Sequence, residues 1–113
     1  MPEAAVVAIE PDFGLPATAI HALRGVLQQY PQVLRATVYG SRAKGNFRPG
    51  SDLDLTLEGP ELTFHDLTRI SMLLDDLMLP WKIDLSLLSH IDNAALLSHI
   101  QRVGKPLWVR DGA

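Results

Sequence analysis

A Gly-Ser turn and two alternating aspartates lie close together in the segment GSRAKGNFRPGSDLDL, residues 40–55. Alternate side chains of a β-strand point to the same face, so Asp52 and Asp54 are expected on one face and Leu53 and Leu55 on the other. Two strand positions separate Cα atoms by roughly 7 Å, which lets both carboxylates lean onto ions between them. The segment therefore predicts a buried leucine face and a carboxylate face able to bind cations.

A third carboxylate, Asp84, lies in a later stretch with the same alternation, Trp81–Leu87. If the two strands are neighbours, Asp84 joins Asp52 and Asp54, and like charges so close together require cations to neutralise them. Mg²⁺ usually binds one or two carboxylates together with waters and substrate phosphates. The sequence thus predicts two Mg²⁺ ions and transfer of a phosphate-bearing group to a hydroxyl, which Asp84 would also polarise or deprotonate.

The Gly-Ser turn has the residue types of a phosphate loop. Gly40 allows close backbone approach or a positive φ, while Ser41 offers a hydroxyl and is expected to cap a short helix whose first amides face an anion. Arg42, Lys44 and Arg48 form a local basic cluster at this turn, although Arg48 is equally typical of a solvated loop. Together they predict that the triphosphate of one nucleotide binds opposite the carboxylates.

Hydrophobic periodicity and turn residues predict the elements that position these side chains. They are a helix over 16–30, strands over 33–39 and 53–58, a helix from a Thr63/Asp66 capping box to just before Pro80, a strand over 81–87, a helix capped by Asp92 that runs to about Val103, and a short edge strand at LWVR, residues 107–110. This order predicts an α/β fold of α+β character, a small mixed sheet flanked by helices. Residues 1–15 are predicted to be an irregular lead-in, and residues 16–113 one domain.

Composition narrows the class of protein. The chain has 113 residues, 47% of them apolar and 20% charged, which is typical of one folded domain. A net charge of -3 argues against binding to duplex nucleic acid, and the absence of cysteine excludes disulfides and thiolate metal sites. No apolar run approaches the roughly 20 residues that span a bilayer, so we expect a cytoplasmic protein without a membrane partner.

Four histidines, at positions 21, 65, 90 and 99, show no shared metal-binding spacing. They fall on predicted helices or at helix edges, where surface and packing roles are more common than metal ligation. No functional role is therefore predicted for any of them.

Gly40-Ser41, the ten intervening residues, Asp52-Leu53-Asp54 and the later Asp84 resemble the signature of the DNA polymerase beta nucleotidyltransferase superfamily. The stretches GSRAKGNFRPGSDLDL and LPWKIDLSLL are similar to its minimal nucleotidyltransferases, and the likeness covers about residues 16–110. An Asp-x-Asp or a Gly-Ser alone is weak evidence, whereas three separated elements agree here in order and spacing. The resemblance implies the polymerase-beta-type nucleotidyltransferase fold.

The resemblance also implies roles for the matching residues. Gly40 and Ser41 would contact the nucleotide phosphates, Asp52 and Asp54 would ligate Mg²⁺, and Asp84 would complete the catalytic trio. Arg42 and Lys44 would contact the phosphates or the acceptor.

Minimal nucleotidyltransferases are often encoded beside a helical HEPN partner. In such toxin–antitoxin pairs the nucleotidyltransferase is the antitoxin and can transfer AMP from ATP to a toxin tyrosine. The resemblance therefore implies ATP as substrate, a HEPN-type toxin as partner and a hetero-oligomer, since the chain has no second domain to complete its pocket.

Two alternatives remain open at this point. The chain is an antitoxin or binding module that neutralises its partner by occlusion without catalysis, or it is a nucleotidyltransferase whose acceptor is a small molecule or an RNA end. The acidic net charge weighs against RNA, and the absence of an acceptor domain weighs against both acceptors.

Overall fold

The structure, a computed structural model, describes residues 12–111, so most of the predicted lead-in lies outside the described residues. Its elements are α1 Ala17–Gln28, β1 Arg35–Tyr39, α2 Gly40–Lys44, β2 Leu53–Glu58, α3 Phe64–Asp75, β3 Ile83–Leu87, a 3-10 turn Leu88–His90, α4 Ala94–Val103 and β4 Lys105–Val109. The sheet order is β3-β2-β1-β4. β1 is antiparallel to β2 and β4, whereas β2 and β3 are parallel. The predicted mixed sheet flanked by helices is confirmed.

The predicted leucine face is buried. Leu53, Leu55 and Leu57 are at most 2% exposed, and they belong to a single core that includes Leu23 of α1 and Ile70 of α3. Fully burying a leucine contributes about 1.5–3 kcal/mol, so this face of β2 holds the helices against the sheet. Two residues that the prediction placed in the lead-in, Phe13 and Leu15, are also buried in this core.

The capping box at the start of α3 is confirmed, but the predicted end of this helix is wrong. The Thr63 Oγ1 accepts a hydrogen bond from the Asp66 amide (3.1 Å), and the Asp66 Oδ2 accepts one from the Thr63 amide (3.0 Å). The apolar stripe continues towards Pro80, yet the helix ends at Asp75 and Met78 has a φ of 56°. A left-handed residue stops helical hydrogen bonding whatever its hydrophobicity.

Helix α1 ends at Gln28, and strands β1 and β3 begin at Arg35 and Ile83, each two residues inside the predicted bounds. Two further differences lie in the last third of the chain. Asn93, not Asp92, caps α4, because its side-chain oxygen accepts the Leu96 amide at 3.0 Å and the helix begins at Ala94. The final strand is an edge strand as predicted, but it begins at Lys105 and includes Pro106. An edge strand accommodates proline because one side of its backbone needs no partner.

The face of the sheet opposite the core carries polar side chains and α4. On this face, Ser86 of β3 donates through Oγ to the Thr56 Oγ1 of β2 at 3.0 Å. Gly104, just after α4, lies against the methyl group of Thr37 in β1, where a Cβ would be too close. Helix α4 is therefore seated on the polar face, next to the predicted carboxylates. No helix within residues 12–111 has the length and apolarity needed to cross a bilayer.

Candidate active site

Parallel pairing of β2 and β3 brings two of the predicted carboxylates together. Asp54 lies directly opposite Asp84 in the register, so both side chains project from the polar face of neighbouring strands. Adjacent strands are about 4.8 Å apart, which places the two carboxylates within reach of a common cation. Asp54 is half-buried and Asp84 is exposed. Asp54 is thus partly enclosed by the fold, whereas Asp84 is open to solvent.

Asp52 lies one residue before β2 begins and is exposed. Across residues 12–111, no three acidic or histidine side chains are close enough to form a complete metal site. The structure thus places Asp54 opposite Asp84, whereas Asp52 lies just before the first residue of β2. A cation here would need ligands besides protein, as is usual for Mg²⁺, which keeps waters and substrate phosphates in its shell.

The charges around Asp54 favour a cation. Burial raises the pKa of Asp54, the negative charges of Asp84 and Asp52 raise it further, and His99 acts in the opposite direction. Ionised Asp54 is therefore in an environment that disfavours its own charge, and a bound cation would relieve this. Hard carboxylate oxygens with a shared excess of negative charge fit Mg²⁺.

The Gly-Ser turn is packed against Asp54. Gly40 has a φ of 72°, in the left-handed region, and a Cβ there would overlap the Asp54 Oδ2. Only glycine therefore lets the backbone of this turn lie directly beside the carboxylate. The predicted phosphate loop and carboxylate face are adjacent in the fold.

Ser41 does not cap α2, contrary to the prediction. The helix begins at Gly40, with Tyr39 in the capping position and no side-chain cap bond, and Ser41 is its second residue. Its carbonyl oxygen accepts the Gly45 amide at 2.9 Å. Because Ser41 already has helical geometry, its hydroxyl is left for contacts other than capping.

Arg42 is committed to the protein interior. The side chain is 2% exposed, and its guanidinium donates to the carbonyl oxygens of Phe13 (2.8 Å), Pro49 (3.1 Å) and Ser51 (3.0 Å). The guanidinium carbon also lies 4.9 Å from the centroid of the Phe47 ring. Burial lowers the pKa of the Arg42 guanidinium. These contacts tie the 42–51 loop to residues before α1. We therefore assign Arg42 to loop stability and leave it out of the proposed phosphate contacts.

The remaining basic residues of the loop differ from Arg42 in exposure. Lys44 is the last residue of α2, and both Lys44 and Arg48 are exposed. Their charges face solvent near the turn, where an anionic ligand can reach them. Lys44 thus remains a candidate for phosphate or acceptor contact.

Sequence reasoning missed His99. Its Nε2 accepts a hydrogen bond from the Gly40 amide at 3.1 Å, and its ring lies edge-on to Tyr39 with centroids 6.2 Å apart. Tyr39 is buried beside the carboxylates, opposite Asp54 in the register, and burial foremost raises its pKa. One signal was present in the sequence: His99 shares the helical stripe of Leu96 and Val103, so it points towards the sheet.

A groove of about 530 Å³ also opens on the polar face, but it does not contain the carboxylates. It is lined by apolar residues of α4 and by Arg35 and Glu58, the pair at the opposite end of the β1–β2 register from Tyr39 and Asp54. Four strand positions, roughly 13 Å, separate the two ends. We place the chemistry at the carboxylates because the cation-binding groups lie there.

Solved structures with similar folds include toxin–antitoxin complexes and a putative nucleotidyltransferase. One is a toxin–antitoxin complex with AMP-PNP, with TM-score 0.66 and 19% identity over 81% of this chain and 74% of that chain. A second is a complex of an MNT antitoxin with a tri-AMPylated HEPN toxin from Shewanella oneidensis, with TM-score 0.61 and 17% identity over 82% and 71% of the two chains. A third is a putative nucleotidyltransferase from Sulfolobus solfataricus, with TM-score 0.51 and 17% identity over 84% and 80%. At these identities the likeness shows a shared fold.

The family comparison covers most of the chain. No curated protein matches the sequence significantly. Residues 21–113, which include the Gly-Ser turn and all three aspartates, match the family described as Polymerase beta, Nucleotidyltransferase. The chain therefore belongs to the polymerase beta nucleotidyltransferase family.

Proposed function

We propose that this protein is a Mg²⁺-dependent nucleotidyltransferase that transfers AMP from ATP to a hydroxyl, acting as the antitoxin of a toxin–antitoxin pair. The observation that carries the proposal is the direct pairing of Asp54 with Asp84, beside a glycine whose backbone contacts Asp54. Family membership supplies the reaction class, and these residues supply the carboxylates and the loop that the reaction needs.

Asp52, Asp54 and Asp84 are the residues that would hold Mg²⁺. When bound, the ions would neutralise the triphosphate and lower the cost of charge that develops on the attacking and leaving oxygens. Asp54 has a fixed position in β2, while Asp52 and Asp84 are exposed and can adjust to the substrate.

The loop and the carboxylates divide the remaining tasks. The Gly40-Ser41 turn binds the phosphates through the amide and the hydroxyl of Ser41 and orients the α-phosphorus towards the open side of the site. The acceptor oxygen attacks that phosphorus, its bond to pyrophosphate breaks, and the acceptor proton passes to Asp84. Asp84 suits this role because it is the exposed member of the pair and faces an incoming hydroxyl.

A protein acceptor fits the open site. Asp84 is exposed on β3, an edge strand, and Asp54 lies on the neighbouring strand, so a macromolecule can approach the pair from that edge. One solved structure of similar fold contains an AMPylated HEPN toxin with its antitoxin. We therefore propose a tyrosine of a HEPN-type toxin as acceptor and a hetero-oligomer of the two chains.

A second candidate function is neutralisation of the partner by binding alone. Three large apolar side chains are exposed on α3 and the turn after it, Phe64 (67%), Met72 (62%) and Met78 (85%). Exposed apolar groups of this size favour a protein contact. Occlusion by such a contact would not depend on the aspartates.

One experiment separates the two functions. The protein is mixed with α-labelled ATP, Mg²⁺ and the HEPN-type protein encoded beside it, and Asp54→Asn is compared with Asp75→Asn, a control on the exposed end of α3. We expect label on the partner with wild type and with Asp75→Asn, a loss of at least about a hundredfold with Asp54→Asn, and no transfer in EDTA. Full transfer by Asp54→Asn would reject catalysis at this site. Protection of cells by an Asp52→Asn, Asp54→Asn double variant would instead favour occlusion.

A further inference from the structure

His99 connects α4 to Gly40, the first residue of α2. Its Nε2 accepts the hydrogen bond of the Gly40 amide, a residue 59 positions earlier in the chain. The ring is half-buried and lies edge-on to Tyr39, with an interplanar angle of 79°. A side chain from outside the Gly-Ser and Asp-x-Asp motifs therefore contacts the backbone of the first of them.

The hydrogen bond fixes which ring nitrogen is the acceptor. Nε2 accepts through its lone pair, so Nδ1 is the ring nitrogen that carries a proton while this bond is made. Contact with the Tyr39 ring restricts its rotation. His99 is thus a fixed acceptor directed at a single amide.

Helix α4 gives this acceptor a rigid base. The Asn93 cap holds its start, Ile100 is buried beside His99, and Gly104 seats its end against Thr37. Side chains on helices hold a site more precisely than side chains on loops. The position of Nε2 is therefore determined by packing distant from the loop it contacts.

The amide that donates this bond belongs to a position that only glycine can occupy without strain. Gly40 has a positive φ, lies against the Asp54 carboxylate and is the first residue of α2, whose amide has no intrahelical partner. Without an acceptor from the protein, this amide would bond to water and the turn would be free to reorient. A glycine has more such freedom than any other residue.

We propose that His99 is a positioning residue that fixes the Gly40-Ser41 turn beside Asp54 before ATP arrives. This inference rests on the proposed function, because the turn is assigned there to phosphate binding. A turn that is already ordered does not lose conformational freedom when the nucleotide binds. Ordering of the turn by His99 should therefore raise the affinity for the nucleotide. His99 acts through the Gly40 amide and touches neither the phosphates nor the acceptor.

Two variants separate the acceptor from the ring. His99→Phe keeps an aromatic ring next to Tyr39 and removes the acceptor, whereas His99→Gln removes the ring and places an amide oxygen where Nε2 lies. A role in packing alone predicts that Phe is the better replacement. A positioning role predicts the reverse.

The first measurement is AMP-PNP binding and, with the partner present, transfer kinetics of the full-length chain. We expect His99→Phe to weaken AMP-PNP affinity and raise KM for ATP by roughly three- to tenfold, the range of one neutral hydrogen bond, with a smaller change in kcat. His99→Gln should restore most of that loss. Wild-type affinity in His99→Phe, or equal losses in both variants, would overturn the inference.

The second measurement needs neither a variant nor activity. In the ¹⁵N-labelled wild-type protein, a scalar coupling across the N–H···N bond should join the Gly40 amide nitrogen to His99 Nε2. The Gly40 amide should also exchange with solvent faster in His99→Phe than in His99→Gln. Absence of the coupling overturns the positioning role, whereas its presence without AMP transfer would count against the proposed function alone.

Discussion

The two faces of β2 show how one short strand serves both stability and chemistry. On one face, Leu53, Leu55 and Leu57 are almost fully buried among helices. Other apolar side chains of similar volume could replace them at little cost in stability. On the other face, Asp54 is half-buried next to another carboxylate and a backbone turn, so both its charge and its shape are restricted. The core face thus accepts many apolar sequences, while the polar face is restricted at Asp54.

The leucine face should produce the greatest loss of stability. Leu55 is fully buried in the centre of the sheet, so Leu55→Ala should lower the free energy of unfolding by about 2–5 kcal/mol through lost burial and a cavity. Urea denaturation of the metal-free protein measures this. Met72→Ala is the matched control: its side chain is 62% exposed on α3, and its loss should be within about 0.5 kcal/mol. Similar midpoints for the two variants would contradict the assigned core.

The contrast between the faces also explains what was predictable from the sequence. Alternation of leucine with polar residues predicted β2, β3 and their buried faces, because one register alone buries all the leucines. The Thr63/Asp66 capping box located the start of α3, since its two reciprocal hydrogen bonds are local. Local patterns thus predicted most elements, whereas the Asp54–Asp84 pair was predicted only on the condition that the two strands are neighbours, which they are in the structure.

What was not predicted depends on contacts between distant segments. Asp92 and Asn93 are both good caps, and the sequence does not indicate which of two adjacent residues will have the capping geometry. The sequence suggests that Arg42 is a surface cation, but in the structure its guanidinium is surrounded by carbonyl oxygens of its own loop and of Phe13. His99 reaches Gly40 only because α4 is seated on the polar face. Such contacts are hardly predictable from local sequence patterns.

A smaller effect is expected where the turn meets the polar face. Gly40→Ala introduces a Cβ into the Asp54 carboxylate at a residue with positive φ, so we expect a loss of about 1–3 kcal/mol in stability and a displaced carboxylate with little AMP transfer. Thermal unfolding and the labelling assay measure the two effects. Gly25→Ala is the control, because Gly25 is exposed within α1 and a Cβ there meets no atom within 4 Å. That variant should gain roughly 0.5–1 kcal/mol from helix propensity, and a loss equal to that of Gly40→Ala would contradict the assigned contact.

The smallest effect concerns the charge on Asp54 itself. The pKa of this carboxyl is raised above its ordinary value of 3.8, first by burial and then by Asp84 and Asp52, with His99 opposing them. The folded protein therefore holds this proton more tightly than the unfolded chain, and stability falls as pH rises from the unfolded pKa through the folded pKa. Asp54→Asn avoids this loss, so in EDTA its urea midpoint should exceed that of wild type at pH 7. The difference should shrink below about pH 4.

Mg²⁺ turns the same measurement into a test of the polar face. Divalent cations should raise the midpoint of wild type at pH 7 and leave Asp54→Asn nearly unchanged, because a ligand that binds only the folded state stabilises it by mass action. Asp75→Asn, on the exposed end of α3, should respond to Mg²⁺ as wild type does. If Asp54→Asn were stabilised by Mg²⁺ as strongly as wild type, the cation would bind elsewhere. The unfavourable negative charge on Asp54 would then have no bound cation to compensate it.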